Sequence, residues 1–195
     1  MRPDALSLPG LAGTIAKTNR CRSAYEESSR RTRLSECRAM QRSRSTASSL
    51  AHIEVRHSSV HGHGVFAARD LPPGTLIGVY AGRRYTAHEA GAMAWDDRLT
   101  YLFALSDGTL IDGAQGGNAT RHLNHACEPN CEAVEDYDED GRLTVRIETT
   151  QSIRANDELF LDYALDIDAG DDPSDYPCHC GLARCRGTLV ASIES

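Results

Sequence analysis

Short alternating and apolar runs dominate the chain from residue 52 onward and predict β-strands. The clearest run covers 143–148, where Leu143, Val145 and Ile147 alternate with polar neighbours, the period of a strand with one buried face. Gly, Pro and Asp separate the runs, which is typical of turns between strands. The predicted strands are HIEVR (52–56), GVFAA (64–68), TLIGVYA (75–81), TYLFAL (100–105), TLID (109–112), LTVRIE (143–148) and ELFLDY (158–163).

One helix and one tight turn interrupt this pattern. Thr86 and Glu89 have the spacing of a capping box ahead of Ala, Met and Trp positions, which predicts a helix over 86–95. The Leu-Pro-Pro-Gly sequence at 71–74 predicts a turn. The sequence has no internal repeat and no heptad pattern. We therefore expect a small, mostly β domain with irregular connections and few short helices.

Composition and charge divide the chain near residue 50. Its 195 residues suit one domain plus an appendage, and 40% hydrophobic with 25% charged residues is ordinary for a globular protein. Residues 1–50 carry ten Lys or Arg against four Asp or Glu, whereas 51–195 carry eleven Arg, no Lys and 24 acidic residues. The net charge of −7 argues against non-specific nucleic-acid binding by the whole chain.

The Arg/Ser-rich arm, residues 1–50, has few large apolar residues that could offset its ordering entropy, so we predict disorder. A basic arm for nucleic acid or targeting, and a misassigned start codon, are the alternatives. We find no secretory signal and no apolar run of about 18 residues, which predicts an intracellular protein without a membrane span, cytoplasmic if bacterial and nuclear or chromosomal if eukaryotic. Lys17 is the only lysine in the chain and so its only candidate for automodification.

Three cysteines near the C-terminus, Cys178, Cys180 and Cys185, form a C-x-C-x4-C cluster. Cysteines one residue apart are poor disulfide partners for each other, but their thiolates can converge on a tetrahedral Zn²⁺. Unpaired thiols on a tail, or a redox site, are the alternatives. A zinc site needs a fourth ligand. The candidates for that ligand are Cys127, Cys131 and, more weakly, His179.

Three further runs carry polar side chains of the kinds that bind ligands or take part in catalysis. They are H-G-H-G at 61–64, R-H-L-N-H-A-C-E-P-N-C at 121–131 and D-E-L-F-L-D-Y at 157–163. Each alone is explained equally well as a polar loop or a core strand. The D-Y-D-E-D-G run at 136–141 matches the start of an EF-hand calcium loop. However, Ile147 occupies the position of the bidentate Glu and a strand follows, so an acidic hairpin loop is favoured.

In this order, the runs resemble the SET-domain protein-lysine N-methyltransferase family with a zinc-binding post-SET segment. The resemblance covers about residues 52–190 and is nearest to compact, bacterial-like members. The matching motifs are HGHGVFA, GVYAG, Tyr101-Leu102-Phe103, R-x-x-N-H-x-C-x-P-N-C at 121–131, E-L-x-x-D-Y at 158–163, and the C-x-C-x4-C tail.

The resemblance implies a knot-like β fold in which the N-H-x-C and D-Y segments thread together. The SET catalytic domain would cover 51–166, followed by a linker at 167–177 and a post-SET zinc segment at 178–190. S-adenosylmethionine would bind on one side, and a substrate lysine would enter a narrow channel from the other. The implied catalytic residues are Tyr163 and Tyr101; the implied cofactor contacts are Gly62, His63, Gly64, Tyr101, Arg121, Asn124 and His125; the implied ligands of one structural Zn²⁺ are Cys127, Cys178, Cys180 and Cys185, with Cys131 left as a packed free thiol.

This sequence departs from the family pattern at two positions. Leu161 stands where many members have an aromatic residue, which leaves mono-, di- or trimethylation open, and His122 replaces an aromatic residue after Arg121. The expected partner is a lysine-containing protein, either a histone or another basic protein such as a ribosomal one. We expect a monomer whose catalytic domain does not bind nucleic acid directly. The alternative function is a catalytically silent SET fold that serves as a protein-binding module.

Overall fold

The computed structural model describes residues 49–93, 101–167 and 170–191. These residues form ten β-strands, one short α-helix and three 3-10 turns. The strands are β1 (Ile53–His57), β2 (His63–Ala67), β3 (Leu76–Val79), β4 (Arg83–Tyr85), β5 (Leu102–Ala104), β6 (Leu110–Asp112), β7 (Asn124–His125), β8 (Cys131–Tyr137), β9 (Leu143–Thr149) and β10 (Glu158–Leu161). The helix is α1 (Ala87–Gly91), and the 3-10 turns are Ser49–His52, Ala119–His122 and Pro173–Asp175.

The strands form three small sheets, with the orders β1-β2-β10-β7, β3-β9-β8 and β4-β6-β5. All pairs are antiparallel except β7 with β10, which run parallel. In that parallel pair Phe160 lies opposite Asn124 and Leu161 lies opposite His125. Because β10 also pairs with β2, this strand brings the glycine turn, the N-H segment and the D-Y segment into one region. We call the parallel β7–β10 pair the strand crossing.

The core packs between the sheets. In β9 the side chains of Leu143, Val145, Ile147 and Thr149 are buried while the intervening residues are partly exposed, so the alternation in the sequence is confirmed. Leu159 and Leu161 of β10 are buried in the same core cluster. Leu189 and Val190 also pack against it, which ties the C-terminal segment to the body of the domain.

The mostly β prediction is confirmed, and every run predicted as a strand contains one. Three strands were missed. Both β4 and β7 are very short, with only three and two residues, and β8 has a polar sequence in which Glu132 and Asp136 face solvent. In the described part of the chain, no helix is long and apolar enough to cross a bilayer.

The predicted helix start is confirmed, whereas its predicted end is wrong. Thr86 caps α1, and the reciprocal bonds between Thr86 and Glu89 form the expected capping box. The helix ends at Gly91 rather than at residue 95, and Ala92 is the C-cap. Glycine lowers helix stability by about 1 kcal/mol relative to alanine, which explains the early end.

The acidic run at 136–141 joins β8 and β9 as the hairpin loop that was expected. Asp138 accepts hydrogen bonds from the backbone N–H groups of Asp140 and Arg142, and Gly141 takes a positive φ of 74°. Asp136 pairs with Arg146 across the hairpin at 2.9 Å. Nearly all of the predicted disordered arm, 1–50, lies outside the described residues.

Candidate active site and metal centre

Tyr163 follows β10 at the strand crossing and is held at both ends. Its hydroxyl donates to the backbone carbonyl of Leu123 at 2.8 Å, and its backbone N–H donates to Nδ1 of His125 at 3.0 Å. Burial raises the pKa of the Tyr163 hydroxyl above its usual value, and the neighbouring Tyr101 and Glu158 add to the shift. The hydroxyl is therefore neutral at physiological pH and fixed in one direction.

Two more tyrosines lie close to Tyr163. The hydroxyl of Tyr80, the aromatic residue of the GVYAG run, donates to the backbone carbonyl of Tyr101 at 2.8 Å. That carbonyl also accepts from the backbone N–H of Gly113 at 2.8 Å. Burial raises the pKa of Tyr80, with Tyr163 contributing to the shift. Tyr80 was not among the predicted site residues, although its place in a glycine-flanked motif could have singled it out.

Asn124 is the link between the crossing and the glycine turn. Its side-chain amide nitrogen lies within hydrogen-bond distance of the backbone carbonyls of His61 (3.2 Å) and His63 (3.1 Å), and of Glu158 Oε1 (2.9 Å). The other oxygen of Glu158 accepts from the buried Ser58 hydroxyl at 3.0 Å. Glu158 and Ser58 were missed by the sequence analysis, although Glu158 is the first residue of the E-L-x-x-D-Y motif.

The two glycines of the turn are required for different reasons. Gly62 has a positive φ of 48° and open space where a Cβ would lie. Gly64 is buried, and a Cβ there would overlap the carboxylate of Glu158. Glycines in a turn can allow the backbone to approach a ligand closely. At Gly64 the group that approaches is instead a protein side chain, so its small size serves packing within the fold.

A cluster of aromatic rings and one cation lies beside the turn. The ring of His122 is 5.9 Å from that of His63 and 6.2 Å from that of Tyr101, measured between centroids. Arg121 lies 6.0 Å from the Tyr101 ring centre, and its Nε donates to His122 Nε2 at 3.1 Å. Burial lowers the pKa of His122, and the charges of Arg121 and His63 act in the same direction. Three of the predicted cofactor contacts, His63, Tyr101 and Arg121, are therefore grouped around this one ring.

The four cysteines that the resemblance implied as zinc ligands come together. The Sγ atoms of Cys127, Cys178, Cys180 and Cys185 all lie within 4.8 Å of one another. Two of the separations are 3.6 Å, from Cys127 to Cys178, and 4.0 Å, from Cys127 to Cys185. A tetrahedral Zn²⁺ with Zn–S bonds of about 2.3 Å requires sulfurs about 3.8 Å apart. The sulfur positions therefore fit this ion.

Backbone N–H groups surround the same sulfurs. Arg186 donates to Cys127 Sγ at 3.3 Å, Gly187 to Cys185 Sγ at 3.3 Å, and Cys180 to Cys178 Sγ at 3.4 Å. Such donors stabilise thiolates, the form in which cysteine binds a metal. The balance differs between the sulfurs. Burial raises the pKa of Cys127 and of Cys178, whereas at Cys180 burial is outweighed by hydrogen bonds from the N–H groups of Cys127 and Leu182 and from the neighbouring thiols, which lower the pKa to about 7.

The other candidate ligands lie elsewhere. Cys131 is buried in the hydrophobic core at the start of β8, where burial raises the pKa of its thiol to about 12. His179 is exposed and is not part of the cysteine group. All of the described cysteines are free of disulfides. The donor set is thus four thiols and no imidazole.

Three charged or titratable side chains connect the cysteine group with the end of β10. His125 is buried, and its Nε2 lies 3.3 Å from Cys127 Sγ. Burial lowers the pKa of His125 to about 4, against the opposing effect of Asp162. Arg186 forms a bidentate ion pair with Asp162, at 2.6 and 2.7 Å. Burial alone would raise the pKa of Asp162, but its bonds with Arg186 outweigh this and lower it.

Known proteins match this combination of fold and residues. The profile of the SET domain matches residues 62–164. Histone-lysine N-methyltransferase SETD2 of Mus musculus is 35% identical over 144 residues, which cover 71% of this chain and 6% of that protein. Histone-lysine N-methyltransferase trithorax of Drosophila melanogaster is 32% identical over 142 residues, covering 71% of this chain and 4% of that protein.

A solved structure gives a further match. It is that of ctPRC2 in an autoinhibited conformation bound to S-adenosylmethionine, and it has a TM-score of 0.50 and 26% sequence identity. The alignment covers 56% of this chain and 14% of that one. This chain thus spans a small part of the proteins it matches. Because the SET profile extends over more than half of the sequence, from the glycine turn to the residue after Tyr163, the chain belongs to the SET-domain family.

Proposed function

We propose that this chain transfers a methyl group from S-adenosylmethionine to the side-chain amine of a lysine in a protein substrate. The observation that carries the proposal is the fixed hydroxyl of Tyr163, which is bonded to the Leu123 carbonyl beside Tyr80 and Tyr101. The names of the relatives, which are histone-lysine methyltransferases, and the S-adenosylmethionine bound to the structural neighbour support the same activity.

The cofactor would be held by the glycine turn at 62–64, Tyr101, Arg121 and the Asn124-His125 segment. These residues offer aromatic rings, a side-chain amide and backbone groups. Such groups suit a molecule with an aromatic base and a positively charged sulfonium. His125 would contribute through its backbone, since its ring contacts Cys127 and Tyr163. Among the described strands β7 has a partner only on its β10 side, so the backbone groups on its other side have no strand partner.

Bound S-adenosylmethionine supplies an activated methyl group on a sulfonium. The attacking lysine amine must be neutral, whereas a free lysine has a pKa of about 10.4. The aromatic rings of the tyrosines at 80, 101 and 163 provide surroundings of low polarity, which disfavour the charged ammonium form. The Tyr163 hydroxyl, which is fixed by its bond to the Leu123 carbonyl, would align the amine. Catalysis of this kind depends mainly on orientation in a site with little water.

One structural Zn²⁺ would bind to Cys127, Cys178, Cys180 and Cys185 and would fix residues 178–190 as a post-SET segment. The linker at 167–177 would join that segment to the catalytic domain, 51–166. The role of the metal would be structural, because four thiolates leave no open coordination position. Thiols kept reduced for zinc fit an intracellular location better than an oxidising compartment.

The substrate class that fits best is a lysine-rich basic protein, such as a histone or a histone-like protein. Residues 51–195 carry eleven Arg against 24 acidic residues, and this excess of negative charge attracts basic partners at low ionic strength. A non-histone basic protein would be attracted in the same way. We further propose that the domain acts as a monomer and does not bind nucleic acid itself.

The test is incubation with labelled S-adenosylmethionine and a panel of basic proteins, with Lys17→Arg present in every variant to exclude automodification. We expect transfer by the parent, and a loss of about 100-fold or more in Tyr163→Phe. Tyr137→Phe is the matched control, because Tyr137 is 68% exposed on the hairpin. Cofactor binding without transfer to any protein would favour the silent binding module, and no cofactor binding would refute the proposed function.

A further inference from the structure

Cys127 is connected to Tyr163 by two hydrogen-bonded routes, both built from buried or half-buried groups. One route passes through the His125 ring and the other through Arg186 and Asp162. Cys127 and Tyr163 lie 36 positions apart in the sequence. The proposed metal centre and the proposed methyl-transfer tyrosine are therefore linked by hydrogen bonds. The side chains that form these links neither bind the metal nor contact the reacting atoms in the proposed function.

The proton on the His125 ring can be assigned from its partners. The backbone N–H of Tyr163 points at Nδ1 from 3.0 Å, and an amide nitrogen can only donate. Nδ1 is therefore the acceptor, and the proton of the neutral ring is on Nε2. Nε2 lies 3.3 Å from Cys127 Sγ, so the ring donates to the sulfur. One rigid ring thus carries one bond to the tyrosine backbone and one bond to the cysteine. The Leu161 carbonyl also contacts the ring, but it already accepts from the backbone N–H of Ala126 at 3.0 Å.

Asp162 is the competing partner for Nδ1, and its geometry is poorer. Its Oδ1 lies 3.5 Å from Nδ1, beyond the 3.0 Å of the Tyr163 N–H. Both carboxylate oxygens of Asp162 already accept from the guanidinium of Arg186, at 2.6 and 2.7 Å. Bidentate pairs of this kind are strong and directional. Asp162 is consequently satisfied without the histidine.

The second route runs through Arg186, which follows the candidate ligand Cys185. Its backbone N–H donates to Cys127 Sγ while its side chain holds Asp162, the residue before Tyr163. Both residues of the Asp162–Tyr163 pair are therefore connected to Cys127. Tyr163 is connected through its backbone N–H and the His125 ring, and Asp162 through its carboxylate and Arg186. With the hydroxyl fixed by Leu123, the ring of Tyr163 has little freedom left.

We infer that His125 is a positioning residue that transmits the position of a metal-bound Cys127 to Tyr163, with the Arg186–Asp162 pair as a parallel brace. The inference rests on the proposed function for the roles of zinc and of Tyr163. It assigns the His125 side chain a function separate from cofactor binding. The two ring nitrogens have different tasks: Nδ1 orients the tyrosine segment, and Nε2 stabilises the thiolate.

Two substitutions separate these tasks. Asn places an acceptor near the position of Nδ1 but does not reach the sulfur, whereas Gln places a donor near the position of Nε2. We expect His125→Asn, which breaks the link to the sulfur, to lower zinc affinity by about 10-fold, the usual effect of losing a hydrogen bond to a ligand, and to lower turnover by about 10-fold even at saturating zinc. We expect His125→Gln to keep zinc affinity within about threefold and to lower turnover by about 10-fold, with KM for S-adenosylmethionine unchanged. His88→Asn, at an exposed position of α1, is the control.

Zinc affinity is measured by competition with a chelator, and turnover by methyl transfer, both on the full chain. Parallel losses of both properties in both variants would assign His125 a general structural role and overturn the inference. If the parent transfers no methyl group, the proposed function fails, but nitrogen NMR of labelled histidine still decides the inference. That measurement should show an unprotonated Nδ1 and a protonated Nε2 in the zinc-loaded protein. The opposite tautomer would refute the assignment.

Discussion

The strand crossing and the four-cysteine group are adjacent, yet different forces hold them. At the crossing, β10 pairs with two strands, Leu159 and Leu161 are buried, and the Asn124 amide is tied to three acceptors. Around the cysteines, the tail residues between 178 and 187 are exposed or half-buried. The crossing is therefore stabilised by the fold itself. We expect the cysteine group, which buries little apolar surface, to depend on the proposed zinc for its geometry.

If this difference is correct, removal of one zinc ligand should affect the tail far more than the core. Cys178→Ser is expected to lower zinc content to well below one per chain and methyl transfer by about 100-fold, because the tail and its brace on Tyr163 are released. Metal analysis and transfer assays measure the two effects. Cys131→Ala is the matched control. It should keep the zinc while lowering the free energy of unfolding by about 1–3 kcal/mol, since Cys131 is packed in the core.

A substitution at the glycine turn should affect the strand crossing and leave the four-cysteine group unchanged. Gly64→Ala places a methyl group against the Glu158 carboxylate. We expect a loss of about 1–3 kcal/mol in the free energy of unfolding and about 10-fold in cofactor affinity, with zinc content unchanged. Urea unfolding and calorimetry with S-adenosylmethionine measure these effects.

The cause of that loss can be isolated with a double-mutant cycle. In a Glu158→Ala background the same Gly64→Ala change should cost about 1 kcal/mol less, because the overlap is gone. Gly170→Ala is the control for added volume, because nothing lies within 4 Å of a Cβ there and its φ is outside the left-handed region. Equal costs of Gly64→Ala in both backgrounds would show that Glu158 is not the reason for the glycine.

The tyrosine group should respond more weakly. Tyr80→Phe removes the bond to the Tyr101 carbonyl, but Gly113 still donates to that carbonyl. We expect a loss of about 1 kcal/mol in stability and about 3- to 10-fold in transfer. Steady-state kinetics should place the loss in turnover. A loss as large as that of Tyr163→Phe would mean that Tyr80 acts on the reacting atoms directly.

The smallest expected effect is on the pH dependence of the free energy of unfolding, through His122 beside the glycine turn. The folded-state pKa of His122 lies below its usual value because of burial and the nearby charges of Arg121 and His63. As the pH falls below about 6.5, His122 takes up a proton in the unfolded chain before it does so in the folded chain. The free energy of unfolding therefore decreases between about pH 6.5 and the lower folded-state pKa of His122. Unfolding at about pH 7.5 and about pH 5.5, on either side of that value, should show a smaller pH dependence for His122→Gln than for the parent. An unchanged dependence would exclude the role of His122.

Local pattern was sufficient to predict much of the fold. The alternation in β9, the capping box at Thr86 and the hairpin around Gly141 all depend on neighbours within a few residues. The two-residue β7 could not be found in this way. It is a strand only because β10, more than thirty residues later, pairs with it in parallel.

The site divides along the same line. Cysteine spacing and the family motifs indicated the residues that meet around Cys127 and Tyr163. The partners that hold them, Ser58, Glu158 and Arg186, carry no local signal of their contacts, because each contact spans between 24 and 100 positions in the sequence. The physical reason for Gly64 likewise became visible only once Glu158 was in place.

A zinc titration of the metal-free full chain tests whether the four-cysteine group and the strand crossing form one methyl-transfer site. Methyl transfer and Zn²⁺ binding are followed together. We predict that transfer is about 100-fold lower without zinc and recovers in proportion to the metal bound, saturating at about one ion per chain. Full transfer by a chain stripped of zinc would show that the strand crossing works without the four-cysteine group.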